Sequence, residues 1–568
     1  MKKKLTHIIS ILLALLMLSG CSADFFAETL RRIQHSVVTA NSGTVKFSEI
    51  EYTRPDIDAI SADFAAVTDA LDSGAAYSEV TALLDVCYAN YYGFDTMYTV
   101  ADIRSCQDVY DTYYSGELSW CSENYSVVQQ KFEDVLYACA ASELAGELEE
   151  NYFWDGFTDD YADSTDSHYN AEAVALMQKE SSLLSEYRAL AADSAADMAN
   201  AAADIDNSYG LTCEVYEKYN EDFARIYIEL VRVRQELAAM YGMDYEQMQF
   251  DFYFERDYTP AQAAAYVADI RRYMVPVYEE LMAGDVYSGV YYDYVDEDTL
   301  LSILDAATKL MGGDIRAAYE FMTAYKMYDI AVSDRKAAMS FQTYLSDYEA
   351  PFLFLDPYGD TEDILTLAHE FGHYTDAFVN YNAAETIDMS ECYSQAMEYL
   401  ALGYFDEILS SDDAENLRRM KLLDTLELYV QQASFAEFES TVYSLGADAL
   451  SADVLNDLSL QLARDYGYCD EARAEYYAMS WSDITHFFEY PFYVITYPVS
   501  NDIAMQVYEL ADKGGSTALD KYNELLSREY TGFLDNIEEA GFTSPFAPGR
   551  IERVAADMRS LMRDAKAA

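Results

Sequence analysis

Apolar residues recur at spacings of three and four along most of this 568-residue chain. Residues 56–71 and 171–190 show the pattern clearly, and it is typical of amphipathic α-helices. Thr259 followed by Pro260 marks another helix start, because a Thr side chain caps free backbone N–H groups and Pro fits the first turn. This periodicity predicts an all-α fold.

Strand-like sequence is sparse. Its best example is residues 340–345 followed by 351–355, which predict a β-hairpin. The exposed edge of such a hairpin can pair with an extended peptide. We therefore expect one small β-hairpin within a predominantly helical protein.

The chain is strongly acidic, with 101 Asp and Glu against 36 Lys and Arg and a formal net charge of −65. Disordered acidic chains lack apolar residues, whereas this one is 51% hydrophobic and 15% aromatic, so we expect it to fold. Nucleic-acid binding requires clustered Lys and Arg. The charge therefore argues against a nucleic-acid partner.

Residues 1–20 have the form of an export signal, in which three Lys residues precede a short apolar run. The letters LSGC end at Cys21 and resemble a bacterial lipobox, in which the Cys is acylated and becomes the mature N-terminus. An ordinary signal peptide with a chance Cys is the alternative. We expect a protein anchored to the cell membrane by a lipid at Cys21, exposed on the extracytoplasmic face, with residues 21–44 as a tether.

Residues 193–206 are rich in Ala and Asp, and they offer few apolar side chains for a core. We therefore place the boundary between two parts of the protein in this segment. The prediction is an N-terminal helical lobe over residues 45–205 and a larger C-terminal domain over residues 206–568.

Seven Cys residues follow Cys21, and no C-x-x-C pair is present. Neither a zinc ribbon nor a redox motif is therefore indicated. Disulfides among Cys106, Cys121 and Cys139 remain open at this point, as do buried free thiols.

Residues 369–373 read HEFGH within a segment of helical periodicity. Four residues apart on a helix, His369 and His373 share one face and can present two imidazoles to one zinc ion. Glu370 stands beside them, placed to accept a proton from a water molecule at that ion. Two ordinary histidines on a helix are the alternative, but the spacing favours a site for one Zn²⁺ per chain.

A catalytic zinc ion needs a third protein ligand. A His six residues after the motif, as in metzincins, is excluded because Val379 occupies that position. The next predicted helix, residues 385–405, offers four acidic side chains: Glu385, Asp388, Glu391 and Glu398. Spacing alone does not choose among them.

HEFGH followed by ECYSQAME resembles the zinc peptidases of the oligoendopeptidase F and thimet oligopeptidase group, in which HE[FL]GH precedes E-x-x-S-x-x-x-E. The stretches FERDYTP (254–260) and HFFEYPFYVITYPVSND (486–502) also match. The resemblance implies that Glu391 is the third zinc ligand and that Glu398 orients a ligand His. It further implies a helical, two-lobed clamshell with a deep central channel, and makes residues 206–568 the catalytic zinc peptidase domain.

Four ring side chains recur at helical spacing late in the chain: His486, Tyr490, Tyr493 and Tyr497. Pro491 interrupts the segment, so a continuous helix is not expected. From the residues alone, an aromatic stripe in the core is the simpler interpretation. The resemblance implies instead that His486 and Tyr497, with Tyr493 next, donate hydrogen bonds to the substrate carbonyl and its oxyanion.

The sequence hypothesis is a zinc-dependent oligoendopeptidase that cleaves internal bonds of short unfolded peptides at the cell surface, with Glu370 as general base. A zinc aminopeptidase is one alternative, although no G-x-M-E-N motif precedes HEFGH. A surface lipoprotein that binds peptide or metal without catalysis is another. Glu370 argues against it, since binding alone needs no base.

Overall fold

The structure is a computed structural model. It describes residues 45–567, apart from 154–155, 162–170, 204–206, 285–286, 288, 382–385, 512–515 and 529–530. Cys21 and the predicted export signal lie outside the described residues.

Helices dominate the described chain, which confirms the predicted all-α class. The helices before the sheet are α1 (Ile57–Asp72), α2 (Tyr77–Gln107), α3 (Thr112–Ala140), α4 (Ala145–Asn151), α5 (Phe157–Asp160), α6 (Ala171–Ala203), α7 (Ser208–Met240), α8 (Tyr245–Met248), α9 (Pro260–Asp269), α10 (Val275–Met282), α11 (Glu297–Met311) and α12 (Gly313–Tyr325). The helices after the sheet are α13 (Asp363–Val379), α14 (Ile387–Ile408), α15 (Ser411–Leu445), α16 (Ala452–Asp465), α17 (Ala474–Met479), α18 (Thr485–Glu489), α19 (Thr496–Ala511), α20 (Ser516–Leu526), α21 (Phe533–Glu539) and α22 (Arg550–Ala567). Across the described residues, none of these helices combines the length and apolarity needed to cross a membrane.

Two of these helices begin where the sequence predicts. The Asp56 carboxylate accepts hydrogen bonds from the backbone N–H groups of Asp58 and Ala59 at the start of α1. Thr259 and Gln262 cap each other's backbone at the start of α9, with Pro260 as the first helical residue. Side-chain capping of this kind satisfies backbone donors that have no partner inside the helix.

The chain divides into two compact units, each built from two separate stretches. The first unit contains the described residues 45–161 and 293–381. Helices α1, α2 and α3 pack together in its core around buried side chains such as Phe64, Leu84 and Phe132.

A three-stranded sheet also belongs to the first unit, in the order β1 (Tyr328–Asp329), β3 (Ala350–Phe354), β2 (Phe341–Leu345). Strands β2 and β3 pair in antiparallel register, which confirms the predicted hairpin. Strand β1 pairs with β3 in parallel and was not predicted, because two residues are too few to show alternation. Helix α13 packs against β2 and β3.

The second unit contains the described residues 171–292 and 386–567. Helix α6 packs along α7, and α14 packs along α19. Residues 193–203 of the Ala- and Asp-rich segment lie within α6, since Ala has the highest helix propensity. The division of the chain thus differs from the consecutive lobes predicted with a boundary at residue 205, because α6 belongs with α7.

The seven cysteines after Cys21 are all free thiols, and six of them are buried. Of the two possibilities left open by the sequence, the structure therefore favours buried thiols. The apolar surroundings let a thiol pack as a small hydrophobic side chain.

Candidate metal centre

The HEFGH motif lies in the middle of α13, as predicted. The Asp363 carboxylate, in the first turn of that helix, accepts hydrogen bonds from the backbone N–H groups of Tyr358, Gly359 and Asp360 at 2.9, 2.7 and 3.0 Å. These bonds fix the loop that leads from β3 into α13. The helix therefore starts at a defined position relative to the sheet.

His369 and His373 lie on one face of α13, with ring centroids 5.1 Å apart. His373 is 4% exposed, and burial together with the neighbouring His369 lowers its pKa well below the ordinary value. A neutral imidazole keeps the nitrogen lone pair that metal coordination requires. Glu370, between them in sequence, is 6% exposed.

Helix α14 carries the candidate third ligand. Glu391 is 1% exposed, and its carboxylate accepts hydrogen bonds from the Tyr493 hydroxyl at 3.1 Å and the Ser394 hydroxyl at 3.2 Å. These two donors restrict the orientation of the carboxylate. Orientation by such partners is what holds a metal ligand in place.

Two of the other predicted acids form ion pairs with basic side chains. Asp388 pairs with Arg256, with 3.2 Å between Oδ2 and Nε, and also accepts a hydrogen bond from the Tyr258 hydroxyl. Glu398 pairs with Lys421 at 2.5 Å. Glu385 lies outside the described residues. The predicted role of Glu398 in orienting a His stays a prediction, and its visible partner is Lys421.

His369, His373 and Glu391 each place one ligand atom within 4.8 Å of the others. Two imidazoles and one carboxylate are a donor set of catalytic zinc sites, which keep a further position for water or substrate. The residues present therefore fit a zinc ion by number, type and proximity.

The predicted aromatic segment is broken, as Pro491 required. Helix α18 ends at Glu489 and α19 starts at Thr496. His486, Tyr493 and Tyr497 nevertheless cluster, because the ring centroid of Tyr493 lies 5.1 Å from that of His486 and 5.3 Å from that of Tyr497.

His486 and Tyr497 contact each other directly, with 3.4 Å between Nε2 and the hydroxyl oxygen. Burial lowers the pKa of His486 to about 4. The imidazole is therefore neutral at pH 7 and has one N–H donor and one acceptor nitrogen.

Arg256 is the main site-supporting residue that the sequence did not reveal. Its buried guanidinium donates to the backbone carbonyl of Phe492 at 3.0 Å and to the Thr496 hydroxyl at 2.8 Å, besides pairing with Asp388. It thus joins the first turn of α14 to the segment that carries Tyr493. Arg256 stands inside the matching stretch FERDYTP, but a single Arg has no periodicity that would indicate this role.

The Phe492 backbone has φ of 66°, a left-handed conformation that is uncommon for a residue with a bulky side chain. Its N–H donates to the Glu439 carboxyl group at 2.9 Å. Arg256 and Glu439 therefore hold Phe492 from both sides of the peptide chain, and they fix the turn between α18 and α19.

Comparison with known proteins gives two family matches. Residues 47–159 match the peptidase M3 N-terminal domain, and residues 325–534 match peptidase family M3. The oligoendopeptidase F (chromosomal) of Lactococcus lactis subsp. cremoris is 28% identical over 224 residues, which span 37% of this chain and 36% of that protein.

Solved structures share the fold at lower identity. PZ peptidase A with inhibitor 2 has a TM-score of 0.76 at 20% identity, over 91% of this chain and 99% of that chain. A putative oligoendopeptidase F gives 0.76 at 23% identity, over 92% and 100%. A putative oligoendopeptidase F from Bacillus anthracis str. Ames gives 0.70 at 22% identity, over 92% and 100%. Because both of these peptidase M3 models match this one chain, the chain belongs to peptidase family M3.

Proposed function

We propose that the protein is a zinc-dependent oligoendopeptidase that hydrolyses internal bonds of short, unfolded peptides. Membership of family M3 implies a metallopeptidase, and the relative from L. lactis is named oligoendopeptidase F. The observation that carries the zinc assignment is the proximity of ligand atoms from His369, His373 and Glu391.

In this proposal, the two imidazoles and the Glu391 carboxylate would hold the metal. Zn²⁺ bound there would polarise the scissile carbonyl group and lower the pKa of a water molecule. Tyr493 donates a hydrogen bond to Glu391, and in this proposal it holds that carboxylate in one orientation.

Glu370 serves as the general base. Its carboxylate accepts a proton from the attacking water and returns one to the leaving nitrogen of the peptide bond. The side chain is 6% exposed, so few bulk water molecules compete for that carboxylate.

His486 and Tyr497 serve as hydrogen-bond donors to the carbonyl oxygen of the substrate. Negative charge develops on that oxygen as the tetrahedral intermediate forms, and fixed donors stabilise it more strongly than they stabilise the uncharged substrate. The low pKa of His486 favours a neutral N–H donor over a cation.

The test compares wild type with Glu370→Gln, and uses Glu320→Gln as a control because Glu320 is an exposed acid of the same unit on α12. Zinc content is measured by mass spectrometry, and cleavage with a quenched fluorescent peptide library. We expect bound zinc in all three proteins, and internal cleavage by wild type and Glu320→Gln only. Zinc-loaded wild type that leaves every peptide intact would refute the proposal, and cleavage abolished by N-terminal acetylation of the peptides would indicate an aminopeptidase.

We also propose that a lipid at Cys21 anchors the mature protein on the extracytoplasmic face of the cell membrane. The support is the export-signal pattern followed by LSGC, and two or more acyl chains give stable anchoring. In a bacterial host, wild type should sediment with membranes, whereas Cys21→Ser should not carry the lipid. Equal lipid labelling of both proteins would exclude Cys21 as the attachment site.

A further inference from the structure

A cavity of about 150 Å³ lies within the second unit, between α10, α15, α16, α17 and α18. Nine of its sixteen lining residues are aromatic. A cavity of this size in a protein interior accommodates a benzene molecule. The space therefore suits a small organic group.

The rings that line this cavity are held by contacts with one another and with neighbouring polar side chains. The indole N–H of Trp481 donates to Asn456 at 2.8 Å. Phe438 stacks on Phe487 with ring centroids 4.8 Å apart, and the Tyr468 hydroxyl bonds to Ser434 at 2.9 Å. The walls are thus preformed, and a ligand would not need to order them.

One charged side chain, Glu427, stands among the described lining residues, and no Lys, Arg or His does. The Tyr287 hydroxyl donates a hydrogen bond to it. Burial, and after it the negative charge of Glu427, raise the pKa of Tyr278 and Tyr287. The carboxylate therefore acts electrostatically on two of the tyrosines that line the cavity.

Aromatic faces carry negative electrostatic potential, so the rings and the carboxylate that line this cavity both attract a cation. We infer that this cavity binds an organic ammonium group on a short carbon chain, with the ammonium at Glu427 and the carbons against rings such as Trp481 and Tyr468. A free amine and the side chain of a peptide Lys both offer this chemistry. The inference does not rest on peptide cleavage.

The test uses full-length Glu370→Gln protein and three probes of similar size: n-butylammonium, 1-butanol and butyrate. Binding is measured by calorimetry and by saturation-transfer NMR at constant ionic strength. We expect one site for n-butylammonium, with 1-butanol about tenfold weaker because it lacks the charge, and no binding of butyrate.

Two variants and a control test the assignment. Glu427→Gln keeps the shape of the side chain and removes its charge. The affinity for n-butylammonium should therefore fall to the affinity for 1-butanol. Gln431→Arg places a guanidinium one turn from Glu427 on α15, where it can pair with that carboxylate and displace the ligand. Asp412→Asn removes an exposed acid from the same helix and should change nothing. Thermal unfolding of each variant checks that it is folded.

Equal affinity of wild type for n-butylammonium and 1-butanol would overturn the inference in favour of a neutral apolar site. Unchanged n-butylammonium binding in both folded Glu427→Gln and Gln431→Arg would overturn it as well. A short peptide with a central Lys, compared with its acetyl-lysine form, then separates the two sources. Competition by the Lys peptide alone supports a peptide side chain as the ligand, and failure of both to compete supports a free amine.

Discussion

Replacing Tyr493 by Phe should weaken zinc binding without changing the fold. The substitution removes one hydroxyl oxygen from a side chain that is 2% exposed, and it leaves the ring contacts with His486 and Tyr497 in place. The lost interaction is the 3.1 Å hydrogen bond to Glu391. Ser394 then remains as the visible side-chain donor to this carboxylate.

The size of the effect follows from the charge of the acceptor. A hydrogen bond to a charged group contributes about 1.5–3 kcal/mol, and each 1.4 kcal/mol corresponds to about tenfold in an equilibrium constant. Glu391 without its tyrosine partner has more orientations available when no metal is bound. We therefore expect the zinc dissociation constant of Tyr493→Phe to rise about 10- to 100-fold.

The assay is competition for zinc against a fluorescent chelator, followed by peptidase kinetics with zinc in excess. Tyr497→Phe is the matched control, because it removes the same hydroxyl group from a neighbouring tyrosine that contacts His486. We expect that control to keep its zinc affinity and to lose kcat/KM. Unchanged zinc affinity in Tyr493→Phe, with a loss of kcat/KM like that of Tyr497→Phe, would refute the reasoning and return Tyr493 to the substrate-binding role implied by the resemblance.

Two further predictions concern the buried side chains of Arg256 and His486. Arg256→Met should lower the free energy of unfolding by about 3–5 kcal/mol, because Asp388 is left buried without its cation. Urea denaturation measures this change, and the double variant Arg256→Met/Asp388→Leu should recover part of the lost stability. A loss below about 1 kcal/mol in the single variant would contradict the prediction. The pKa of His486 is lower in the folded protein than in the unfolded chain, so the unfolded chain binds the proton more tightly. The stability contributed by this residue is therefore complete above the unfolded pKa of about 6.5, and it is lost as the pH falls toward 4. Between pH 7 and pH 4, the unfolding free energy of wild type should therefore fall by about 3 kcal/mol more than that of His486→Gln, and parallel pH dependences would exclude this linkage.

Local patterns predicted the parts of the fold that depend on local physics. The HEFGH helix and the hairpin both follow from periodicity within about 20 residues, and both are present. The Ala- and Asp-rich segment misled the prediction of a boundary, because low core potential does not prevent a run of Ala from continuing α6.

The third ligand could not be chosen from spacing because Asp388, Glu391 and Glu398 all lie on α14 and are all buried. What distinguishes them is their partners from elsewhere in the chain. Arg256 precedes Asp388 by 132 residues, and no pattern along the sequence announces such a pair. The resemblance named Glu391, and the partners seen for the other acids give a physical reason for that choice.

The buried thiols have a consequence for chemical reactivity. Burial raises the pKa of Cys87 to about 12, and raises those of Cys139 in the first unit and Cys392 in the second as well. The thiolate is the form that reacts with alkylating agents and oxidants. Burial in the folded chain therefore lowers the reactivity of these sulfur atoms in two ways, because it keeps reagents away and keeps the thiols protonated. Each becomes reactive when the helices around it separate, and the rate at which a maleimide labels Cys139 or Cys392 would therefore report the opening of one unit independently of the other.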